Sequence, residues 1–464
     1  MRLRLAALAV LAALAAGCGG GGSSSSDPAK VVPGGALAYA VVNTDLGSSQ
    51  LTSAKEILAK FPGEPKAFQS LLTQIDASGV DAKTFASSLG SQVAVAAIQS
   101  GTTIGAVGFA QPSDQQTFDS VLAKNPKLVH QTIDGWTVFS EQQALLDAVQ
   151  NRSSDLSGDD AYQAAFKTLP GSGDAIGRAY VSGAGIKALG IKALQSAGSI
   201  GVSGLSIQSL ATTPWIASAL SSESGAFKLV VHEKEASAPS SEPPSLAGQI
   251  PSGAIVALSS GGTGATVPAA ATSGLPSAIQ TLLVPIDNLL NGPLIAYLRP
   301  GVPLPEVTIA AKPAHPAAVA AAVAQIVRNA AGGAKASLTK VNGGALFKIT
   351  VGGSFALYYG TWNGEIVLTD SANALAELGG SSGKLSDDQV FKDATSASGM
   401  PDTNNGFLFA DVSNLVPAIE GIAQLAGQQL PASVETNLKP LRSALVYGAH
   451  DGDVLNLVAY VATS

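Results

Sequence analysis

A single cysteine, Cys18, stands in a chain of 464 residues. No disulfide can form within the chain, so its stability must come from packing. Charge is scarce too: Asp, Glu, Lys and Arg make up 13% of the residues, and the net charge is −7. No cluster of Lys and Arg occurs, which argues against a nucleic-acid partner, because phosphate binding needs concentrated positive charge. Aromatics are few, at 13 Phe, 8 Tyr and 3 Trp, whereas Ala dominates a hydrophobic content of 46%. Thin, closely packed layers are expected rather than an aromatic-rich interior. Long apolar runs are missing as well. The unbroken apolar run Leu5 to Ala16 is shorter than the roughly 20 residues that span a bilayer.

That run has a different meaning. Met1-Arg2-Leu3-Arg4 is a cationic lead, Leu5 to Ala16 an apolar core, and small residues precede Cys18. The pattern resembles the bacterial lipobox, although Leu14 lies one place further from the cysteine than usual, with Ala15 in its stead. The resemblance implies that residues 1–17 are a lipoprotein signal peptide and that Cys18 is the lipid attachment site. Acylation also explains an odd cysteine in an exported chain. Two or three acyl chains would anchor it stably, since each buried methylene adds about 0.8 kcal/mol. Residues 18–30, with Gly19 to Gly22 and Ser23 to Ser26, read as a lipidated flexible tether. The expected location is extracytoplasmic, anchored to the bacterial cell membrane.

The body that follows, about 447 residues, is long enough for two or three domains. Val31 to Asn43 reads as a Pro-Gly-Gly turn entering a strand, and Ser53 to Ile75 as two helices broken near Pro62 and Pro65. Val93 to Ile98 and Ile104 to Phe109 form a hairpin pattern, followed by a helix over Pro112 to Leu122. Asp134-Gly135 marks a tight turn between short strands. Ser140 is read as the cap of a helix running to Val149, and Leu156 to Leu169 as a further helix. Arg178 to Ser182 and Ala226 to His232 read as strands. Residues 186–213 carry no clear signal. Residues 236–249, rich in Pro and Ser, are a linker.

Beyond the linker the pattern restarts. Ile250 to Leu258 echoes the opening strand, and Asp134 to Glu141 aligns with Asn363 to Asp370. The register continues without a gap from Leu156-Ser157-Gly158-Asp159-Asp160-Ala161-Tyr162 to Leu385-Ser386-Asp387-Asp388-Gln389-Val390-Phe391, with about eight of thirty columns identical. The expected fold is therefore α+β: two homologous tandem units, 31–235 and 250–464, each an antiparallel sheet with helices packed mainly on one face. The second carries an extra strand pair, Leu346 to Val351 and Ser354 to Tyr359, and an Ala-rich helix from Pro316 to Asn329.

The lead-in at Val32 to Asn43, the segment Ser88 to Ala96 and the Leu-Ser-Asp-Asp-x-x-Phe segment at Leu385 together resemble a family of bacterial exported proteins catalogued as domain of unknown function 3352. The resemblance implies an exported setting and supports the architecture. It brings no catalytic residues.

A search for chemistry finds little. His130, His232, His315 and His450 are far apart and lack ligand spacing, so no metal and no cofactor is expected. Gly379-Gly380-Ser381-Ser382-Gly383 spells a nucleophile elbow but falls in a loop between two helices. Ser337-Leu338-Thr339-Lys340 spells a Ser-x-x-Lys motif but alternates like a strand. Asp159-Asp160 and Asp387-Asp388 follow Leu-Ser at helix starts, where carboxylates cap free N–H groups. The expected protein is a binding or scaffolding lipoprotein, not an enzyme, with the bilayer as one partner through Cys18. The alternatives are an apolar-ligand or lipid carrier, a structural partner of other envelope proteins, or an envelope hydrolase built on His232 or His315.

Overall fold

The computed structural model describes residues 27–45, 47–62, 88–171, 173–189, 212–236, 244–262, 292–301, 305–313, 315–330, 336–341, 344–351, 355–371, 373–380, 383–425 and 427–464. The leader, Cys18, the tether to Ser26, the second helix expected before Ile75 and most of residues 186–213 lie outside them. The chain is mixed α and β, with antiparallel sheet and, among the described residues, ten α-helices. It divides into two compact units, Met1–Ala238 with Asp451–Asn456, and Pro239–His450 with Leu457–Ser464. The division at Ala238 falls within the segment read as the linker.

The first unit runs β1 (Ala38–Asn43), α1 (Ser49–Leu58), β2 (Gln92–Ser100), β3 (Thr103–Ala110), α2 (Gln115–Ala123), β4 (Val129–Ile133) and β5 (Trp136–Ser140). It continues with α3 (Gln143–Gln150), α4 (Asp160–Phe166), β6 (Gly177–Ser182), α5 (Gly183–Leu189), β7 (Trp215–Glu223) and β8 (Ala226–Lys234). The strands pair in the order β4-β5-β3-β2-β1-β6-β7-β8, antiparallel throughout. The β4–β5 turn puts Asp134 at φ 48° and Gly135 at φ 78°, the left-handed pair such a turn needs.

The second unit runs β9 (Val256–Ser260), β10 (Leu294–Arg299), β11 (Glu306–Ala311), α6 (Pro316–Ala330), β12 (Ala336–Val341), β13 (Gly344–Val351), β14 (Phe355–Trp362) and β15 (Glu365–Thr369). Next come α7 (Ala374–Leu378), α8 (Gln389–Ser398), β16 (Gly406–Asp411), α9 (Val412–Leu425), α10 (Ala432–Leu438), β17 (Leu441–Asp451) and β18 (Val454–Thr463). Pairing gives β12-β13-β14-β15-β11-β10-β9-β16-β17, again antiparallel. Asn363 and Gly364, at φ 48° and 83°, repeat the turn geometry of Asp134 and Gly135.

Both faces of the first sheet are covered, which corrects the expectation of helices mainly on one face. Ala94, Ala96, Val107, Phe109, Trp136, Val138 and Tyr180 face α3 and α4, meeting Leu145, Leu146, Val149, Tyr162 and Phe166. Their strand neighbours Val93, Ala110 and Phe139 point the other way and meet Phe118 and Leu122 of α2. On that second face Leu51 and Ala54 of α1 pack near Leu220 and Phe227. The reason is in the strands: Val93-Ala94, Phe109-Ala110 and Val138-Phe139 are apolar on consecutive residues, so each face needs a cover. In the second unit α6 packs Val323 and Ala324 against Tyr359 and Leu368.

One core of the first unit is rich in aromatics, a second correction, since thin layers without an aromatic-rich interior were expected. One core holds Tyr39, Phe109, Trp136, Tyr162, Phe166, Tyr180 and Trp215. Each fully buried ring contributes on the order of 1.5–3 kcal/mol.

Local boundaries also moved. Ser140 ends β5 instead of capping a helix: its Oγ donates to the Ala106 carbonyl at 2.9 Å, and α3 starts at Gln143. A cross-strand acceptor lies nearer to Ser140 than the helix N–H groups. The Leu156–Leu169 helix is split into a 3-10 turn, Leu156–Gly158, and α4. Asp155 caps the turn and Asp159 caps the helix, each carboxylate holding an N–H that would otherwise belong to one continuous helix.

Candidate functional site

The polar and aromatic groups most suggestive of a site lie on the α3–α4 face of the first sheet. Cross-strand register aligns His232, Ala217, Tyr180, Tyr39, Ala96, Val107 and Ser140 in one row. Helix α4 lies over this row because Asp159 Oδ1 accepts the Tyr162 N–H at 2.9 Å and fixes where the helix begins. It brings Tyr162 to 5.8 Å from the Tyr39 ring and 5.4 Å from the Tyr180 ring, both edge-on. Phe166 completes the group, 4.8 Å from Tyr162. Arg178, two residues before Tyr180 and therefore on the same face, sets its guanidinium 3.9 Å from the Phe166 ring centre.

Burial dominates the electrostatics. It pushes the Tyr39 phenol well above its usual range, with Tyr162 and Asp27 adding to the effect and Arg178 opposing it. Tyr162 is raised by burial and Asp27, and Tyr180 is pushed up to about 12 by burial and Asp159. All three stay neutral and keep an O–H to donate. The cluster offers O–H and N–H donors beside apolar ring faces, which is equipment for recognition.

A cross-strand row of the second unit reads Phe409, Ala257, Tyr297, Thr308 and Thr369. Thr308 and Thr369 share a hydroxyl–hydroxyl hydrogen bond of 2.8 Å. The Ser371 hydroxyl donates to Glu306 Oε1 at 3.0 Å, and Arg299 pairs with Glu377. Burial pushes Tyr297 up to about 12. Glu365 is buried, accepts from Gln249 Nε2 at 2.7 Å, and is raised above the usual carboxylate range by that burial.

The residues named from sequence fall apart from one another. Cys18 lies outside the described residues, as do Ser381 and Ser382 of the elbow-like motif. His130 is exposed, 3.7 Å from Asp119. His232 is buried, its Nδ1 3.4 Å from the Ala165 carbonyl, and burial lowers its pKa. No serine–acid arrangement forms around it among the described contacts. His315 is exposed just before α6, and His450 Nδ1 meets Asn405 Nδ2 at 2.5 Å. Ser337 lies within β12 instead of at a helix start. Asp159 caps α4, as expected. Asp388 does not cap α8; its carboxylate accepts from Gly253 N at 2.7 Å, while Asp387 accepts from Lys384 N. Among the described residues no three His, Cys, Asp or Glu are grouped to hold a metal, and no helix is long and apolar enough to cross a membrane. Arg178 and the tyrosines escaped sequence reasoning because nothing in Arg178-Ala179-Tyr180 departs from an ordinary strand; only the placement of α4 unites them.

No family model matches the chain, and no curated protein matches it. Among solved structures, crystal form I of TP0453 is similar at 12% identity with a TM-score of 0.25, over 47% of this chain and 81% of that one. Crystal form IV of TP0453 is similar at 10% identity with a TM-score of 0.24, over 46% and 81% respectively.

Proposed function

We propose that the protein is an exported binding or scaffolding lipoprotein of the bacterial cell envelope, held to the membrane through acylated Cys18, as the lipobox-like pattern before that cysteine implies. The observation that carries this reading is where the folded body begins. Asp27 Oδ1 accepts the Ala29 N–H at 2.9 Å and starts a 3-10 turn whose neighbours Ala29, Val31 and Val32 are buried in the first core. Eight residues therefore separate Cys18 from the body, a leash of at most about 30 Å. A lipid on Cys18 would hold the first unit close to the bilayer surface.

The units are read as copies of one ancestral unit, and several details support this. Strands β15 and β5 share one burial pattern. Leu156 N donates to the Val32 carbonyl at 2.8 Å, and Leu385 N to the Ile250 carbonyl at 2.9 Å. Gln142 N donates to Ser140 Oγ, and Ser371 N to Thr369 Oγ1, at equivalent places. The carrier reading is weaker, because Trp136, Phe109, Leu145 and Leu156 fill the layer between sheet and helices where an apolar ligand would lie. The hydrolase reading is weaker still, with His232 turned to a backbone carbonyl.

The test is mass spectrometry of the N-terminal peptide from the protein in its own membranes. A diacylglyceryl-modified Cys18, together with release of the Cys18→Ser chain into the soluble fraction, is the expected result. An unmodified cysteine, or a Cys18→Ser chain that stays in the membrane, overturns the anchor.

A further inference from the structure

Four arginine side chains fall among the described residues, and three have carboxylate partners. Arg152 pairs with Asp134, Arg299 with Glu377, and Arg442 with Asp393 at 2.5 Å. Arg178 has none: its Nε–H is buried without an acceptor, and its guanidinium rests on the Phe166 ring. The row it occupies gives no relief, because its cross-strand neighbours are Val41 and Ala219. Arg178 is half-buried, and a ring contact does not satisfy its buried Nε–H, so the guanidinium keeps donors free for an anion.

The second unit shows that the fold does not require a cation here. Tyr180 corresponds to Phe409, so Arg178 corresponds to Phe407, which is buried 5.3 Å from the Phe391 ring. There an apolar ring fills the position that Arg178 holds in the first unit. Two acids lie near, and neither is paired with Arg178: Asp27 caps the opening turn and Asp159 caps α4, while both still raise the phenols of the cluster. Phe166, on which the guanidinium rests, packs against Tyr162, whose ring meets those of Tyr180 and Tyr39 edge to face.

We propose that Arg178 anchors an oxyanion-binding site on the first unit, taking a carboxylate or phosphate group between its guanidinium, Phe166 and the phenols of Tyr39, Tyr162 and Tyr180. The planar fork of Arg178 donates two parallel N–H bonds to such a group, a geometry Lys cannot reproduce. Tyrosine O–H groups complete the donor set. The proposal deepens the binding-protein reading and rests on it, but does not depend on the anchor.

The experiment is isothermal titration of the full chain in nonionic detergent at low salt, with inorganic phosphate and with octanoate as separate probes. A third arm uses co-sedimentation with phosphatidylcholine vesicles, with and without phosphatidylglycerol. One saturable site is expected, weakened at least tenfold in R178Q and in R178M, with R178K intermediate and R442Q unchanged. R178M takes the apolar character of Phe407, so it should keep its fold even if R178Q does not; circular dichroism checks both. Arg178-dependent binding to anionic vesicles but to neither soluble probe identifies a lipid headgroup, whereas binding of a soluble probe identifies a free anion. Wild type and R178M behaving alike toward every probe, whether both bind or neither does, overturns the proposal. The acylation state of Cys18 does not enter these titrations, so a failed anchor and a failed site are told apart.

Discussion

In the first unit the helix-facing row places Tyr39 of β1 opposite Ala96 of β2; in the second it places Ala257 of β9 opposite Tyr297 of β10. If the units are copies, a large and a small side chain have exchanged strands within one row. The double variant Tyr39→Ala, Ala96→Phe in the first unit imitates the second. Tyr39 is only 2% exposed, so Tyr39→Ala alone opens a cavity costing about 3–5 kcal/mol. Ala96, 1% exposed, has no room for a ring, and Ala96→Phe alone overpacks the layer at about 1–3 kcal/mol. Directly opposed Cβ atoms lie about 4.5–5.5 Å apart, so the new ring can occupy the space the old one left. The double variant should therefore lose less than either extreme of the sum, with a favourable coupling of about 1–3 kcal/mol. Phe is used at 96 because the residue beside it is Val107, where the second unit has Thr308 to meet a phenol. The assay is urea unfolding followed by Trp136 and Trp215 fluorescence in a Trp362→Phe background, which isolates the first unit's transition. A double-variant loss equal to the sum of the single losses would refute the exchange and the shared register behind it.

Two further predictions concern pH. Burial raises the phenols of Tyr39, Tyr162 and Tyr180, so the unfolded chain loses their protons first, and stability should fall as pH climbs above about 10. Absorbance at 295 nm should show Tyr180 titrating near 12, with Tyr39 and Tyr162 ionising only as the first unit unfolds; full titration near pH 10 in the folded protein would contradict this. On the acid side two buried groups should respond oppositely. His232, lowered by burial, favours folding above about 6.5 and loses that contribution as pH falls towards its folded value. Glu365, raised by burial, opposes folding at neutral pH and is relieved as pH falls through its folded value, so Glu365→Gln should stabilise the second unit at pH 7 and flatten its acid response. Denaturation between pH 4 and 7 of the wild type, His232→Gln and Glu365→Gln checks both, and a variant whose acid response matches wild type would count against its group.

The hairpin at residues 92–110 and the turn at Asp134-Gly135 were legible because their signals are local: alternation on either side of residues that tolerate positive φ. Leu156 and Leu385, aligned in the sequence echo, donate to the Val32 and Ile250 carbonyls respectively. Ser140 misled because a Ser before an apolar helical pattern is equally a cap or a strand end. Only the neighbouring Ala106 carbonyl decides between them. The Arg178 cluster was invisible: its members are spread from Tyr39 to Tyr180, and no spacing in the chain announces that α4 will lie over β1 and β6.

Sequence alone determined what depends on neighbours along the chain, namely the turns, the periodic strands and helices, and the internal echo that runs from Asp134 to Phe391. The tertiary structure alone decided that both faces of the first sheet are covered, that seven aromatics share one core, and that among the described residues no carboxylate pairs with Arg178. The physical reason is one and the same: burial and charge pairing depend on which elements meet in space. In an Ala-rich chain with few charges, many apolar surfaces look alike until packing chooses among them.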